Sequence, residues 1–175
     1  MRKRPSLLWL FISVLVIAID QVTKRLIMGS FELYDRLPVM PYFDLVRLHN
    51  TGAAFSFLAN ASGWQNWFFT GVALIVSGII LWWFIRQPPD RVVVPLGLVL
   101  VLGGAIGNVI DRLEHGYVVD LILVYYERWS FPAFNVADSA ITLGVILLLI
   151  DGFFLEGRRP QPSAGGGGTS ASSGQ

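Results

Sequence analysis

No cysteine occurs anywhere in the 175 residues, which removes disulfides, thiol nucleophiles and thiolate metal sites together. The redox compartment stays open. Histidine is nearly absent, with His49 and His115 alone in the chain. No His-Glu-x-x-His helix, Gly-x-Ser-x-Gly elbow or Walker-type phosphate loop can be written. Metal and nucleotide chemistry are therefore not expected, and the reading calls for no cofactor and no metal. Charge is also scarce. Only 14% of residues are charged, against roughly 25% in soluble proteins. The net charge is +1, with no basic stripe of interleaved aromatics, so no nucleic-acid partner is expected.

What remains is apolar. The chain is 54% hydrophobic, with mean hydropathy +0.59, and it reads as an all-α membrane protein with four transmembrane helices. The spans fall at about 7–27, 65–86, 92–112 and 138–156, each near the roughly 20 helical residues that a bilayer core requires. The first has a basic start, Arg2-Lys3-Arg4. It runs into Asp20-Gln21-Val22-Thr23-Lys24 rather than a small-x-small cleavage site, so it reads as a retained helix. Pro95 and Gly103-Gly104 inside the third are common in membrane helices, where small residues permit close packing.

Arg2, Lys3, Arg4, Arg86, Arg91, Arg158 and Arg159 share one side if all four spans cross, seven of the 13 basic residues. The positive-inside rule makes that side cytoplasmic, with both termini inside. Segments 28–64 and 113–137 then lie outside. Tyr42 to Leu48 alternates loosely between Pro41 and the Asn50-Thr51-Gly52 turn, which predicts a small extracytoplasmic β-sheet/loop region on the outer surface. Ala53 to Leu58 is apolar and expected at the interface. Trp64 and Trp67 would anchor the outer end of the second span, and Trp82 and Trp83 its inner end. Residues 1–157 form a single membrane-embedded domain; the Gly/Ser/Pro/Ala-rich 158–175 is read as a flexible cytoplasmic tail.

Acids gather towards the outer face. An ionised Asp at a membrane helix centre costs about 2.5–3.5 kcal/mol on insertion scales, so such residues pair, face water or do chemistry. Asp20 and Lys24 are four apart on one helix face, the spacing of a structural ion pair. Asn108, Asp111 and Arg112 share a face at the end of the third span. Asp138 opens the fourth span; alone it would read as a cap or first-turn acid. Asp120 lies in the apolar run Val118-Val119-Asp120-Leu121-Ile122. Taken together, Asp120 and Asp138 suit a different chemistry. Two carboxyls in one dry site share a proton. One takes a proton from a bound water while the other polarises a carbonyl.

At these residues the chain resembles the lipoprotein signal peptidase family, the type II signal peptidases of bacteria. The matching blocks are Asp20 to Lys24, Asn50 to Ser56, Gly103 to Arg112, Val118 to Asp120, and Phe131 to Ser139. The resemblance implies an aspartyl endopeptidase of the bacterial inner membrane with its site near the extracytoplasmic face. Its substrates would be prolipoproteins carrying diacylglycerol on a cysteine, cleaved just before that residue. Asp120 and Asp138 fall on the family's catalytic pair. Asp20, Lys24, Asn50, Asn108, Asp111, Arg112 and Asn135 fall on its supporting polar positions.

Segment 28–64 could then cover the substrate as a lid, with Asn50 and the Gly52 to Phe55 stretch near the scissile bond. Arg112 or Asn108 would hold substrate carbonyls or fix a catalytic carboxylate. The helix N-terminus favours charge on Asp138 and the apolar flanks favour a neutral Asp120, so Asp120 is expected to hold the shared proton. The partners expected are lipidated signal peptides and membrane lipid, with the chain a monomer. Three rivals stand beside it: a small transporter or channel with an acidic proton or cation site, a purely structural membrane scaffold, and a serine protease pairing Ser139 or Ser56 with Lys24.

Overall fold

The computed structural model describes residues 6–52 and 63–155. Four helices are long and apolar enough to cross a membrane. They are α1 (Leu10–Ser30, led by a 3-10 turn at Leu7–Trp9), α2 (Trp64–Phe84), α3 (Val93–His115) and α4 (Val136–Ile150, extended by a π-helical turn at Asp151–Leu155). All four expected spans are present, with ends shifted by a few residues. The tail 158–175 and the stretch Ala53 to Leu58 lie outside the described residues.

The helix α3 is the core of the bundle and packs against the other three. Two thirds of its most apolar window is buried (67%), against 22–28% in the other spans. Its glycines explain the closeness. A Cβ at Gly97 would lie 2.9 Å from the Gly144 carbonyl on α4, and one at Gly103 would lie 2.9 Å from the Ser13 carbonyl on α1. Without side chains there, backbones meet as small-residue membrane interfaces do. The outward faces of α1, α2 and α4 stay apolar, with Phe11, Val22, Ile75, Ile79, Ile146 and Leu149 exposed. That suits a hydrocarbon surround.

The sheet is larger than expected. It has four antiparallel strands in the order β1 (Arg36–Met40), β2 (Phe43–Asn50), β3 (Val118–Tyr126) and β4 (Trp129–Ser130). Half of it comes from segment 113–137, whose run of consecutive apolar residues lacks the alternation of a half-buried strand. The run is a strand because it is covered on both sides from Val118 to Leu121. Four helices and a small sheet were expected; the strands contributed by segment 113–137 were not.

Two local devices position β3. Gly116 caps α3 with φ +80, its N–H returning to Arg112 O at 3.1 Å, and the chain turns directly into the strand. Leu48 then stands opposite Asp120 and Asn50 opposite Val118. The sheet is also tied to α1. Arg47 Nη1 donates to Met28 O at 3.2 Å and Phe31 O at 2.7 Å, satisfying carbonyls at the helix end. Much of 28–52 is thus the end of α1 and two anchored strands, the small sheet that its alternation predicted.

Candidate active site

Asp120 and Asp138 arrive from different elements and meet through one residue, Asn135. Asn135 is the N-cap of α4 and is fully buried. Its side-chain Oδ1 accepts the Asp138 N–H at 2.9 Å, and its own N–H donates to Asp138 Oδ2 at 3.2 Å. This reciprocal pair is a capping box, with Asp138 at the third helical position. The same side chain turns its Nδ2 to Asp120 Oδ1 at 3.0 Å. A capping residue thus carries both carboxyls.

The outer oxygens are held by two further amides. Asn50 Nδ2 donates to Asp120 Oδ2 at 3.0 Å, and Asn108 Nδ2 donates to Asp138 Oδ1 at 2.8 Å. Asn108 Oδ1 in turn accepts from Lys24 Nζ at 3.1 Å and Asn135 Nδ2 at 3.3 Å. Burial pushes the Asp120 carboxyl up to about 7, and the neighbouring Asp138 charge adds to the rise. The Asn50 and Asn135 hydrogen bonds and the Lys24 charge offset part of it. Asp120 therefore retains a proton into the neutral range, as its apolar flanks suggested.

Behind the pair lies a buried ionic frame. Lys24 Nζ sits 2.8 Å from Asp20 Oδ2 and 2.9 Å from Asp111 Oδ2, with all three side chains nearly inaccessible. Each acid keeps a backbone N–H as well: Asp20 Oδ1 holds Ala137 N at 2.9 Å, and Asp111 Oδ2 holds Val119 N at 3.0 Å. Sequence spacing gave the Asp20–Lys24 pair but not its bond to Asp111 across helices. Gln21, to which the sequence reading gave no role, bridges the two acids.

Arg112 donates to Asn108 O at 3.3 Å and lies over the Phe69 ring at 5.8 Å. It lines a cavity of about 450 Å³ with Thr51, Asn66 and Trp67. Gly52 has φ +98, and a Cβ there would lie 2.5 Å from the Phe69 ring, so the turn after Asn50 accepts only glycine without strain. Asn50 Oδ1 accepts the Gly52 N–H at 2.9 Å, which orients the amide that reaches Asp120. Ala53, Ala54, Phe55 and Ser56 lie outside the described residues.

Two more cavities reach the carboxyls. One of about 480 Å³ is lined by Tyr34, His49, Asn50, Asp120, Pro132 and Ala133. The other, about 400 Å³ and mostly apolar, is lined by Phe131, Phe134, Asp138, Ser139, Thr142 and Leu143. Each acid thus borders a cavity of its own.

The remaining candidates are placed elsewhere. His49 and His115 both stack on Tyr117, at 3.7 and 5.6 Å between ring centres. Burial lowers the His49 imidazole below its usual value, and the Arg47 and His115 charges add to this. Among the described residues, no group of three His, Asp or Glu side chains could hold a metal ion. Ser139 donates to Asn135 O at 3.0 Å, while Lys24 is bound to Asp20, Asp111 and Asn108. A Ser139–Lys24 nucleophile is not assembled.

Comparison with known proteins follows the same lines. A family model described as signal peptidase (SPase) II matches residues 12–154. A lipoprotein signal peptidase of Acinetobacter baumannii is 54% identical over 158 residues, covering 90% of each chain. The Acinetobacter baylyi counterpart is 53% identical over 156 residues, covering 89% of this chain and 87% of that one. Among solved structures, a bacterial membrane enzyme determined by the in meso method at 1.9 Å is similar with TM-score 0.78 and 32% identity. It covers 88% of this chain and 98% of its own.

Proposed function

Because the chain belongs to the signal peptidase II family and removes signal peptides from prolipoproteins, we propose that Asp120 and Asp138 perform the hydrolysis as an aspartyl pair. It is a multi-pass bacterial membrane protease. The observation that carries the mechanism is Asn135, whose hydrogen bonds to both carboxyls hold them in one site.

In the resting site Asp138 is the charged partner and Asp120 the protonated one. Asp138 takes a proton from a water molecule, whose oxygen attacks the scissile carbonyl carbon. Asp120 gives its proton to the carbonyl oxygen, forming a neutral tetrahedral diol. Asp138 then hands its proton to the leaving nitrogen as the C–N bond breaks, and Asp120 recovers one from the collapsing diol. The cycle needs no other nucleophile. Asn50, Asn108 and Asn135 between them donate to all four carboxyl oxygens, which fixes the two carboxyl planes before substrate arrives; such preorganisation is worth several powers of ten in rate.

The scissile bond is the one just before a diacylglyceryl-cysteine, with the acyl chains remaining in the bilayer. The site faces outward from the bacterial inner membrane, both termini are cytoplasmic, and the enzyme acts as a monomer. The grouping of Asp20, Asp111, Asp120 and Asp138 at one end of the bundle supports a site at one membrane face, and the bias of basic residues to the other side supports its facing outward. A direct test incubates the purified protein in detergent with a diacylglyceryl prolipoprotein and with its unlipidated form. Mass spectrometry should find one cut, before the modified cysteine, in the lipidated substrate alone. Equal cutting of both forms would refute the lipid requirement.

A further inference from the structure

Gln21 lies on α1 between Asp20 and Lys24, is buried, and makes no hydrogen bond to Asp120 or Asp138. Its Nε2 donates to Asp111 Oδ1 at 2.8 Å, Gly107 O at 3.2 Å and Asp20 Oδ2 at 3.3 Å. The amide therefore spans α1 and α3 at the level of the ionic frame. Its two hydrogens serve both acids and one backbone carbonyl.

Lys24 already supplies the charge between Asp20 and Asp111, but an ammonium on a flexible four-carbon stem imposes little direction on a carboxylate plane. Direction matters here. The remaining bonds of those acids go to the N–H of Ala137 and of Val119, the residues just before Asp138 and Asp120. Gln21 holds Asp111 by the oxygen that Lys24 and Val119 leave over. Without it that buried oxygen would lack a donor, and the carboxylate could rotate and carry β3 with it.

We propose that Gln21 is a positioning residue of the proteolytic reaction. It fixes the plane of Asp111, and through the Val119 N–H the place of Asp120 relative to Asp138. The proposal rests on the aspartyl pair described above. It assigns Lys24 and Gln21 separate duties: Lys24 balances charge, and Gln21 sets orientation.

The test measures kcat and KM on a lipidated prolipoprotein for wild type, Gln21→Met and Gln21→Glu. Met keeps the length and loses the donor. Glu keeps the shape and donates only when protonated; its charged neighbours are Asp20 and Lys24 on α1 and Asp111 on α3, with Arg112, Asp120 and Asp138 coupled to that frame through Asp111 and Lys24. Gln21→Met should lower kcat on the order of tenfold or more, the scale of slight misplacement, with KM nearly unchanged. Gln21→Glu should be impaired at alkaline pH and should recover, relative to wild type, as the pH is lowered.

A Gln21→Met enzyme with wild-type kcat would overturn the proposal. So would a Gln21→Glu to wild-type ratio that stays flat with pH, the behaviour of a merely structural loss. If thermal melting shows Gln21→Met unfolded, the pH dependence of Gln21→Glu decides alone. Asp120→Asn runs in the same assay. Full activity in that variant would remove the aspartyl pair and this proposal with it, whereas an inactive Asp120→Asn beside unaffected Gln21 variants removes the Gln21 role only.

Discussion

Asp20 Oδ1 accepts the backbone N–H of Ala137 at 2.9 Å, across 117 residues of chain and one residue before Asp138. Asp111 makes the matching bond to Val119, one residue before Asp120. The two supporting acids therefore grip the backbone beside the two proposed to react. Lys24 joins the grips, so disturbance at the frame is felt as a change in the spacing of the pair.

Removing the cation should show this in stability first. Lys24→Met leaves Asp20 and Asp111 buried without their shared partner, and breaking a buried ion pair from one side costs about 3–5 kcal/mol. Thermal unfolding in detergent should show a clear fall in Tm. Lys24→Arg should restore it only in part, because the larger guanidinium must enter a space where the compact ammonium already sits 2.8 and 2.9 Å from the two carboxylates and 3.1 Å from Asn108 Oδ1. A Lys24→Met protein as stable as wild type would contradict the frame.

Asn135 separates capping from catalysis. Asn135→Ala loses both, with about 1 kcal/mol attributable to the lost helix cap. Asn135→Ser keeps an oxygen for the Asp138 N–H but has no amide to reach Asp120. Its Tm should fall less than that of Asn135→Ala, since the cap is kept although buried acceptors lose a donor, while kcat falls about a hundredfold, the scale of misplacing a reacting group. Parallel losses of Tm and kcat in both variants would count against the bridging role.

The pH dependence follows from Asp120, whose carboxyl is pushed up to about 7 by burial and by Asp138. The proposed mechanism needs its proton, so kcat/KM should fall as pH rises through about 7. Stability moves in the same sense. The folded value lies above the unfolded one, so the contribution is complete below the ordinary carboxylate range and is lost as pH climbs through about 7. Asp120→Asn should abolish that component of the melting profile, and an unchanged profile would refute the assignment.

Gly52 tests the turn that carries Asn50. Gly52→Ala forces a side chain into φ +98 and against the Phe69 ring; the backbone term alone is worth about 1–2 kcal/mol. Activity should drop more than stability, because the turn aims the amide at Asp120. Adding Phe69→Leu should recover part of the steric loss. No change in activity for Gly52→Ala would show that Asn50 is held by other means.

The membrane helices were legible because length and unbroken hydrophobicity dictate them. Asp20 and Lys24 were legible as a pair because they share a turn of helix. The strand at Val118–Tyr126 was not: a strand buried on both faces shows no alternation, and Val118 to Ile122 gives a run too short to distinguish from helix. Asn135 read as one polar residue among several, since nothing in a linear sequence shows an amide serving a cap and a distant strand together. Gln21 was overlooked for the same reason. Its partners are its neighbour Asp20 and, 90 residues on, Asp111.

Single-turnover cleavage of a diacylglyceryl prolipoprotein by wild type, Asp120→Asn and Asp138→Asn tests the central claim most directly. Both variants should bind the substrate and remain folded, and neither should release the signal peptide at a measurable rate. If either variant cleaves at the wild-type rate, Asp120 and Asp138 do not act as a catalytic pair.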